Sequence, residues 1–348
     1  MYLTAGWIAV SLAKLGSSEK LILALSVVLV VIVFLLIRTA GLKRRTEQAA
    51  ARVVSMTDEM MSLSNLPISR NEVGGYKLEE KLSENVGFVN YRAKDAQDQA
   101  CDLKIPTTKC LEDKMAMARF EREAKVLEGI ENPHVVGFRA FEKIKDRGRT
   151  VPILATEPLY GEDLTEVIRR EAPMPPSRVV PLLEHLAGGL AAVHRNEVVH
   201  RNVKPGSVKV QENGRAILYN FGVAQAEDEQ AVTQRGDVLG TALYLSPEAI
   251  MGKPLDPRSD LYSLGVVAFE MLTGRPPHAG STFGELAVKK MTEDAPHPGL
   301  VQAGIPTELD SLVARLMEKD PSKRPHSAGA FLTELSTIQV SNESESVS

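Results

Sequence analysis

The sequence predicts an α+β protein in which short strands come first and helices follow, preceded by one transmembrane helix. Residues 21–37 form an uncharged apolar run. Val208–Val210 and Ala216–Leu218 flank an Asn-Gly turn, which predicts a hairpin. Ser177–Arg195 repeats apolar residues at helical spacing. Leu261–Leu272 is apolar on nearly every face, which is typical of a helix at the centre of a large domain.

Composition narrows the classes of function. The 348 residues carry 41 lysines and arginines against 45 aspartates and glutamates, a formal net charge of −4. Because there is no basic excess, nucleic acid is not expected as a partner. Two cysteines, Cys101 and Cys110, are too few for a disulfide framework or a four-cysteine zinc site.

The apolar run at 21–37 is predicted to anchor the chain in the cell membrane. At about 1.5 Å per residue it nearly crosses a hydrocarbon core of about 30 Å. A buried globular helix and a cleaved signal peptide stay open as alternatives. The cations that follow the run are Arg38, Lys43, Arg44 and Arg45. Their position favours a single-pass topology, with residues 1–20 short, interfacial and non-cytoplasmic and the rest of the chain in the cytoplasm.

Two further segments flank the main domain. Residues 38–75 form a basic juxtamembrane segment and linker, in which apolar spacing over 46–66 predicts a short helix. A dimerising coil through 46–66 is the alternative. Residues 339–348 are polar and acidic, so we expect a disordered tail.

A series of short motifs lies between these segments. They are Asp102-Leu103-Lys104, Phe120-Glu121-Arg122-Glu123-Ala124, Asn132-Pro133-His134-Val135-Val136, Thr156-Glu157-Pro158-Leu159, His200-Arg201-Asn202-Val203-Lys204-Pro205-Gly206-Ser207, Asn220-Phe221-Gly222, Gly240-Thr241, Ser246-Pro247-Glu248, Ser259-Asp260-Leu261-Tyr262-Ser263-Leu264-Gly265 and Arg324. In this order the chain resembles the Ser/Thr protein kinase family, most closely its membrane-anchored bacterial branch. The resemblance implies a two-lobed protein-kinase-like fold, with a β-rich N-lobe at 76–160 and a helical C-lobe at 161–338.

The resemblance also implies a nucleotide site. Lys104 matches the phosphate-gripping lysine, and Glu123 matches its partner on the C-helix. Glu157 and Leu159 match the hinge, and Lys204 matches the lysine of the catalytic loop. Whether a nucleotide binds these positions is left open by the departures from the family pattern.

Three departures remove a charge or a metal ligand from the catalytic positions. Asn202 stands where the family has the aspartate that accepts the substrate proton, and a carboxamide is not basic near neutral pH. Ser207 and Asn220 stand at the two metal-binding positions, whereas Mg²⁺ prefers charged oxygen ligands. We therefore expect no active catalytic residue, no metal site and no Mg²⁺, while ATP stays open as a ligand.

Two charges fall in the adenine pocket. Asp102 replaces the family's alanine above the base, and Lys209 replaces a leucine below it. Asp102 and Lys104 are two residues apart on a strand and so share a face. Because unpaired buried charge is costly, we expect Asp102 to pair with Lys209 or Lys104 across the cleft and block it. The alternative is that Lys209 extends to solvent.

The glycine-rich loop is altered as well. The residues aligned with the family's glycines are Ser83, Asn85 and Phe88. A slip of one residue would place Gly87 at the third glycine position. Side chains here, and the bulk of Phe88 in particular, would hinder backbone N–H groups from closing on phosphates.

The architectural positions are retained. They are Leu127, Phe138, His200 and Phe221 of a hydrophobic column, Asp260 that anchors it, and the C-lobe ion pair of Glu248 with Arg324. Arg201 matches a residue that clamps a phosphate in the activation segment, where Thr233 is the candidate acceptor. Thr241 is expected to be structural.

These observations favour a membrane-anchored pseudokinase. Such a protein would be a signalling or scaffolding module that binds unidentified protein partners, without ordinary Mg·ATP phosphotransfer. Two alternatives stay open: a weak or atypical Ser/Thr protein kinase, and a metal-independent nucleotide-binding switch.

Overall fold

The computed structural model describes residues 72–146, 148–221 and 237–339. All of them belong to one compact unit formed by residues 66–348.

Three predicted segments lie outside these residues. They are the apolar run 21–37, the linker helix at 46–66 and residues 340–348 of the tail. They stay predictions. Within the described ranges, no helix is both long and apolar enough to cross a bilayer.

The first part of the unit is a six-stranded antiparallel sheet with two helices. Its elements are β1 (Glu72–Val73), β2 (Tyr76–Glu84), β3 (Phe88–Lys94), β4 (Ala100–Pro106), α1 (Thr108–Glu112), α2 (Lys114–Glu128), β5 (Phe138–Asp146) and β6 (Arg149–Thr156). The strand order is β1-β2-β3-β4-β6-β5.

Strand β4 positions the first side chains of the site. Its alternating sequence buries Cys101, Leu103 and Ile105 completely in the core of the sheet. Asp102 and Lys104 therefore share the opposite face, which lines the cavity described below. This confirms the prediction that the two charges point the same way.

Helix α2 carries Glu123, which pairs with Lys104 of strand β4. Asp113 caps its first turn by accepting from two backbone N–H groups. Phe120, Glu123 and Leu127 lie on its buried face. The Phe120 ring packs edge-on against Phe141 of β5, with 5.5 Å between centroids, which fixes the helix against the sheet.

The second part is mostly helical. Its elements are β7 (Glu162–Asp163), α3 (Leu164–Glu171), α4 (Pro176–Arg195), β8 (Val208–Val210), β9 (Ala216–Leu218), α5 (Asp237–Ala242), α6 (Pro247–Ile250), α7 (Pro257–Thr273), α8 (Phe283–Thr292), α9 (Pro298–Val301), α10 (Thr307–Leu316) and α11 (Ala328–Leu335), with 3₁₀ turns at Pro205–Ser207 and Pro321–Lys323. Strands β7, β8 and β9 form a small antiparallel sheet.

The predicted hairpin and the helices predicted over Ser177–Arg195 and Leu261–Leu272 are confirmed. Val208 pairs with Leu218 in the β8–β9 hairpin. The central helix α7 begins at Pro257, four residues before the apolar run, because its polar first turn is capped by Asp256. It ends at Gly274, which has φ +75°.

One hydrophobic cluster joins the two parts. It contains Phe120 and Leu127 of α2, Val193 of α4, Ile217 of β9 and Phe221. Leu127 and Phe221 of this cluster line the cavity between the two parts. The predicted α+β architecture, with a β-rich first lobe and a helical second lobe, is confirmed.

Candidate active site

A cavity of about 580 Å³ lies between the two lobes. The polar side chains around it include Asp102, Lys104, Asn202, Lys204, Lys209 and Asn220. The expectation of a cleft filled by paired charges is therefore wrong.

Lys104 is held by Glu123. Its Nζ lies 2.8 Å from both carboxylate oxygens of Glu123, whose side chain is only 4% exposed. The ring of Phe88 lies 4.7 Å from the same ammonium group. The predicted pair is confirmed, and it places one cation on the cavity wall.

Asp102 pairs with Arg92, not with a lysine across the cleft. The two guanidinium contacts are Nε to Oδ1 and, at 3.4 Å, Nη2 to Oδ2. Arg92 and Asp102 are direct neighbours in the β3–β4 register. A cross-strand partner is already within reach, so Asp102 needs no lysine across the cavity.

The positive charge of Lys209 is likewise balanced by a cross-strand neighbour. Its Nζ lies 3.2 Å from Asp163, its direct neighbour in the β7–β8 register. The same Asp163 oxygen accepts from the Tyr219 hydroxyl at 2.7 Å. The predicted pairing of Asp102 with Lys209 is therefore wrong, since each of the two has a partner on its own sheet.

The hinge residues Glu157 and Leu159 differ in whether they line the cleft. The Glu157 side chain covers Gly137, where an added Cβ would lie 2.6 Å from the Glu157 carboxyl carbon. It lines a separate pocket behind the hinge and not the cleft, so its prediction as a nucleotide ligand does not hold for the side chain. Leu159 does line the cleft.

Two backbone N–H groups in the turn between β2 and β3 are hydrogen-bonded to a side chain of the same turn. The Asn85 Oδ1 atom accepts from the N–H groups of Gly87 and Phe88, both at 2.8 Å. Ser83 accepts from the Asn90 side chain at 2.8 Å. The two bonded N–H groups are thus engaged by a side chain and not free to hold a phosphate.

Asn202 has a fixed orientation in the catalytic loop. Its Nδ2 donates to the Asn220 carbonyl at 2.9 Å and to Ser207 Oγ at 3.1 Å. The carbonyl can only accept, so this contact identifies the amide nitrogen. The remaining oxygen, Oδ1, is buried and has no hydrogen-bond partner among the residues that the structure describes. The side chain lines the cavity.

The other loop residues also take up the expected places. Lys204 Nζ donates to Thr241 Oγ1 at 2.9 Å, which supports a structural position for Thr241. Arg201 has a left-handed backbone with φ +64°, and its N–H donates to Asp260. Thr233 lies outside the described residues, so the phosphate clamp stays a prediction.

Asp260 anchors the loop beneath the cavity. It accepts from the backbone N–H of His200 at 2.7 Å and lies 2.9 Å from His194 Nε2. Burial lowers the pKa of His200 to about 4, so its ring is neutral at pH 7. That ring packs on Phe221 with 4.5 Å between centroids.

The remaining architectural residues pack as expected. Phe138 packs against the cluster that contains Leu127 and Phe221. In the C-lobe, Arg324 donates to both carboxylate oxygens of Glu248, at 2.7 and 2.9 Å.

The kinase resemblance implies Mg²⁺ beside Ser207 and Asn220, and the residues there do not fit it. The Ser207 hydroxyl is fully buried and engaged by Asn202, and Asn220 offers a neutral carboxamide. Among the described residues, no three His, Cys, Asp or Glu side chains cluster to hold a metal ion. Since Mg²⁺ prefers carboxylate ligands, lysines are the cations that this site itself provides.

Sequence reasoning missed Asp163, which lines the cavity, and Arg92 and Tyr160, which contact each other next to Leu159. The Arg92 guanidinium lies 4.4 Å from the Tyr160 ring centroid and donates to the Leu159 carbonyl at 2.9 Å. A usable signal did exist for Arg92. It and Asp102 are equally distant from the short turn at 95–99, so a hairpin register places them opposite each other.

Comparisons with known proteins agree with this geometry. The protein kinase domain family matches residues 82–334. Serine/threonine-protein kinase PknL of Mycobacterium tuberculosis is 34% identical over 266 residues, covering 76% of this chain and 65% of the relative. Serine/threonine-protein kinase drp72 of Corynebacterium efficiens is 30% identical, covering 71% and 47%. The chain thus spans 65% or less of the length of these relatives.

These findings correct the functional prediction. A scaffold without phosphotransfer is wrong, because the relatives are named as serine/threonine-protein kinases and the kinase family matches nearly the whole described unit. The alternative of an atypical kinase agrees better with them. By the match over residues 82–334, this chain belongs to the protein kinase domain family, in its bacterial Ser/Thr branch.

Proposed function

We propose that this chain is an atypical Ser/Thr protein kinase without a carboxylate base. The protein hydroxyl forms a bond to the γ-phosphorus of ATP, the bond to ADP breaks, and the hydroxyl proton passes to an oxygen of the transferred phosphoryl group. The observation that carries the proposal is Asn202, which lines the cavity and whose buried Oδ1 has no hydrogen-bond partner within residues 72–146, 148–221 and 237–339. Buried acceptors in native proteins are nearly always paired. A substrate Ser or Thr hydroxyl that donates to this oxygen would supply the missing partner.

An asparagine at this position slows the reaction without preventing it. Phosphoryl transfer passes through a loose transition state, in which positioning and charge stabilisation supply most of the catalysis. Asn202 Oδ1 orients the hydroxyl, and the two hydrogen bonds of its Nδ2 hold the side chain still. Losing the general base costs about 10²–10⁴ in rate, so we expect a slow enzyme.

Positive charge for the phosphates comes from lysines on opposite walls. Lys104 is oriented by Glu123 on the upper wall. Lys204 lines the same cavity, whereas the charge of Lys209 is already balanced by Asp163. We therefore propose that Lys104 and Lys204 contact the nucleotide phosphates and that binding does not need a metal ion.

Phosphotransfer by the full chain tests the proposal. The protein, purified in detergent, is incubated with γ-labelled ATP and a Ser/Thr peptide substrate, with Mg²⁺ or with EDTA. We expect slow labelling of Ser or Thr that Lys104→Met abolishes. Lys94→Met is the matched control, because Lys94 pairs with Glu79 at 3.1 Å outside the cavity and its loss should leave labelling unchanged. Equal labelling in wild type and Lys104→Met would refute the proposal.

We further propose that residues 21–37 anchor this kinase in the cell membrane, with the catalytic domain in the cytoplasm. The uncharged run and the cations after it support this topology. Sedimentation of the full chain with membranes after a high-salt wash, lost on deletion of residues 1–45, is the expected result. Protein substrates and a homodimer through 46–66 are proposed as partners, and cross-linking of the full chain in membranes tests the dimer.

A further inference from the structure

The hinge backbone at Leu159 is already occupied by two side chains of this chain. Its N–H donates to Asp102 Oδ2 at 3.0 Å, and its carbonyl accepts from Arg92 Nη2 at 2.9 Å. Leu159 and Asp102 both line the cavity. One acceptor and one donor of the chain therefore satisfy the polar groups that a flat heterocycle entering this cleft would need.

The two side chains hold each other in this place. Arg92 and Asp102 make a two-point ion pair and are direct neighbours across β3 and β4. The Tyr160 ring covers the guanidinium at 4.4 Å. Each side chain is only 14% exposed. The pair is therefore a packed element and not a loose surface contact.

We propose that Arg92 and Asp102 form a hinge latch, which closes over the backbone of Leu159 and must open before a nucleobase binds. The inference rests on the proposed kinase function and adds a regulatory step to the same site. The strands need not move, because rotation of the two side chains is enough to free the Leu159 N–H and carbonyl.

The latch reduces the apparent affinity for nucleotide. A binding-competent state that is populated only in part weakens the measured affinity by that fraction. Two hydrogen bonds to Leu159 and a two-point ion pair favour the closed state, so removing them should tighten ATP binding on the order of tenfold. The Leu159 backbone then becomes available at all times.

The test compares ATP affinities of full-chain variants in detergent, by competition with a fluorescent ATP analogue in EDTA. The double variant Asp102→Ala/Arg92→Met removes both halves of the latch, and each single variant removes one. Glu79→Ala is the matched control, since it breaks the exposed Lys94–Glu79 pair on the same sheet without touching the cavity. A melting curve for each variant establishes that it folds.

The latch predicts a dissociation constant for ATP about tenfold lower in the double variant, smaller gains in the single variants and no change in Glu79→Ala. Equal affinities in wild type and the double variant, with ATP bound by both, overturn the latch and leave the kinase proposal intact. If no variant binds ATP, the kinase proposal itself fails and the latch fails with it.

Discussion

The Nδ2 atom of Asn202 lies 2.9 Å from the backbone carbonyl oxygen of Asn220. These residues stand at the two positions where the kinase resemblance implies aspartates, and a hydrogen bond connects them. A carboxylate at position 202 has no donor and could not make this contact. The substitution at 202 therefore also creates a bond that holds the catalytic loop against the segment at Asn220.

Asn202→Asp should raise the phosphotransfer rate and lower stability together. The carboxylate restores a general base, so the rate should rise about 100-fold. The hydrogen bond to Asn220 is lost, so the free energy of unfolding should fall by about 1 kcal/mol. Single-turnover labelling and urea unfolding measure the two effects.

Asn213→Asp is the control for this change, because Asn213 lies in an exposed turn where its Oδ1 caps the Arg215 N–H and an aspartate can do the same. A rate that Asn202→Asp leaves unaltered would contradict the positioning role of Asn202.

Removing Lys104 should destabilise the N-lobe as well as the site. Lys104→Met leaves the Glu123 carboxylate nearly buried without its cation, which should cost about 1–3 kcal/mol of unfolding free energy. Lys104→Met/Glu123→Met removes both charges and should recover most of that loss. Urea unfolding of these two variants and of Glu123→Met measures the coupling, and single-variant costs that add up to the cost of the double variant would show that the pair is not coupled.

The Glu248–Arg324 pair should make the C-lobe sensitive to acid. Burial alone would raise the pKa of Glu248, but the hydrogen bonds and charge of Arg324 outweigh it, so the pKa is lowered overall. The resulting stabilisation is present above the unfolded pKa of about 4.3 and is lost as pH falls through the lower folded value. Thermal melting between pH 7 and pH 3 should show this loss.

Arg324→Met tests the same pair at neutral pH. It leaves a buried carboxylate unpaired, and such a break costs about 3–5 kcal/mol. The variant should therefore unfold at clearly lower urea concentration at pH 7. An unchanged midpoint would mean that other groups hold the C-lobe together.

Lys290 should make stability rise with pH above neutrality. Its Nζ is buried and donates to the carbonyls of Leu243 and Leu245 at 2.5 and 2.7 Å. Burial lowers the pKa of Lys290 to about 7, against about 10.4 when unfolded. Between these values the unfolded chain binds more protons, so stability increases with pH.

Melting temperatures at pH 7, 8 and 9 measure this rise. Lys290→Met should flatten it, whereas Lys289→Met, which alters the exposed neighbour on α8, should not. An equal rise in both variants would assign the effect to other groups.

Much of the fold follows from local patterns in the sequence. Alternation in β4 buries Cys101, Leu103 and Ile105 and so determines that Asp102 and Lys104 face the cavity. The Asn-Gly turn predicts the β8–β9 hairpin, because few residues adopt its backbone conformation. Both patterns act within a few residues, and for this reason the sequence displays them directly.

The contacts inside the cleft depend on partners that are distant along the chain. Asp102 meets Leu159, and Lys209 meets Asp163, only after the strands have paired. The sequence correctly identified these charges as unusual but assigned them the wrong partners. The short β3–β4 turn did indicate Arg92 as the partner of Asp102, whereas no local pattern indicates that Lys209 lies beside Asp163.

The sequence by itself determined the two-lobed kinase architecture and the loss of carboxylates at Asn202 and Asn220, since motif order and residue identity need no coordinates. Only the tertiary structure decided that the cleft is open and that Arg92 and Asp102 close on the hinge. The physical reason is that a buried charge takes the partner nearest in space, and proximity in space is set by strand register.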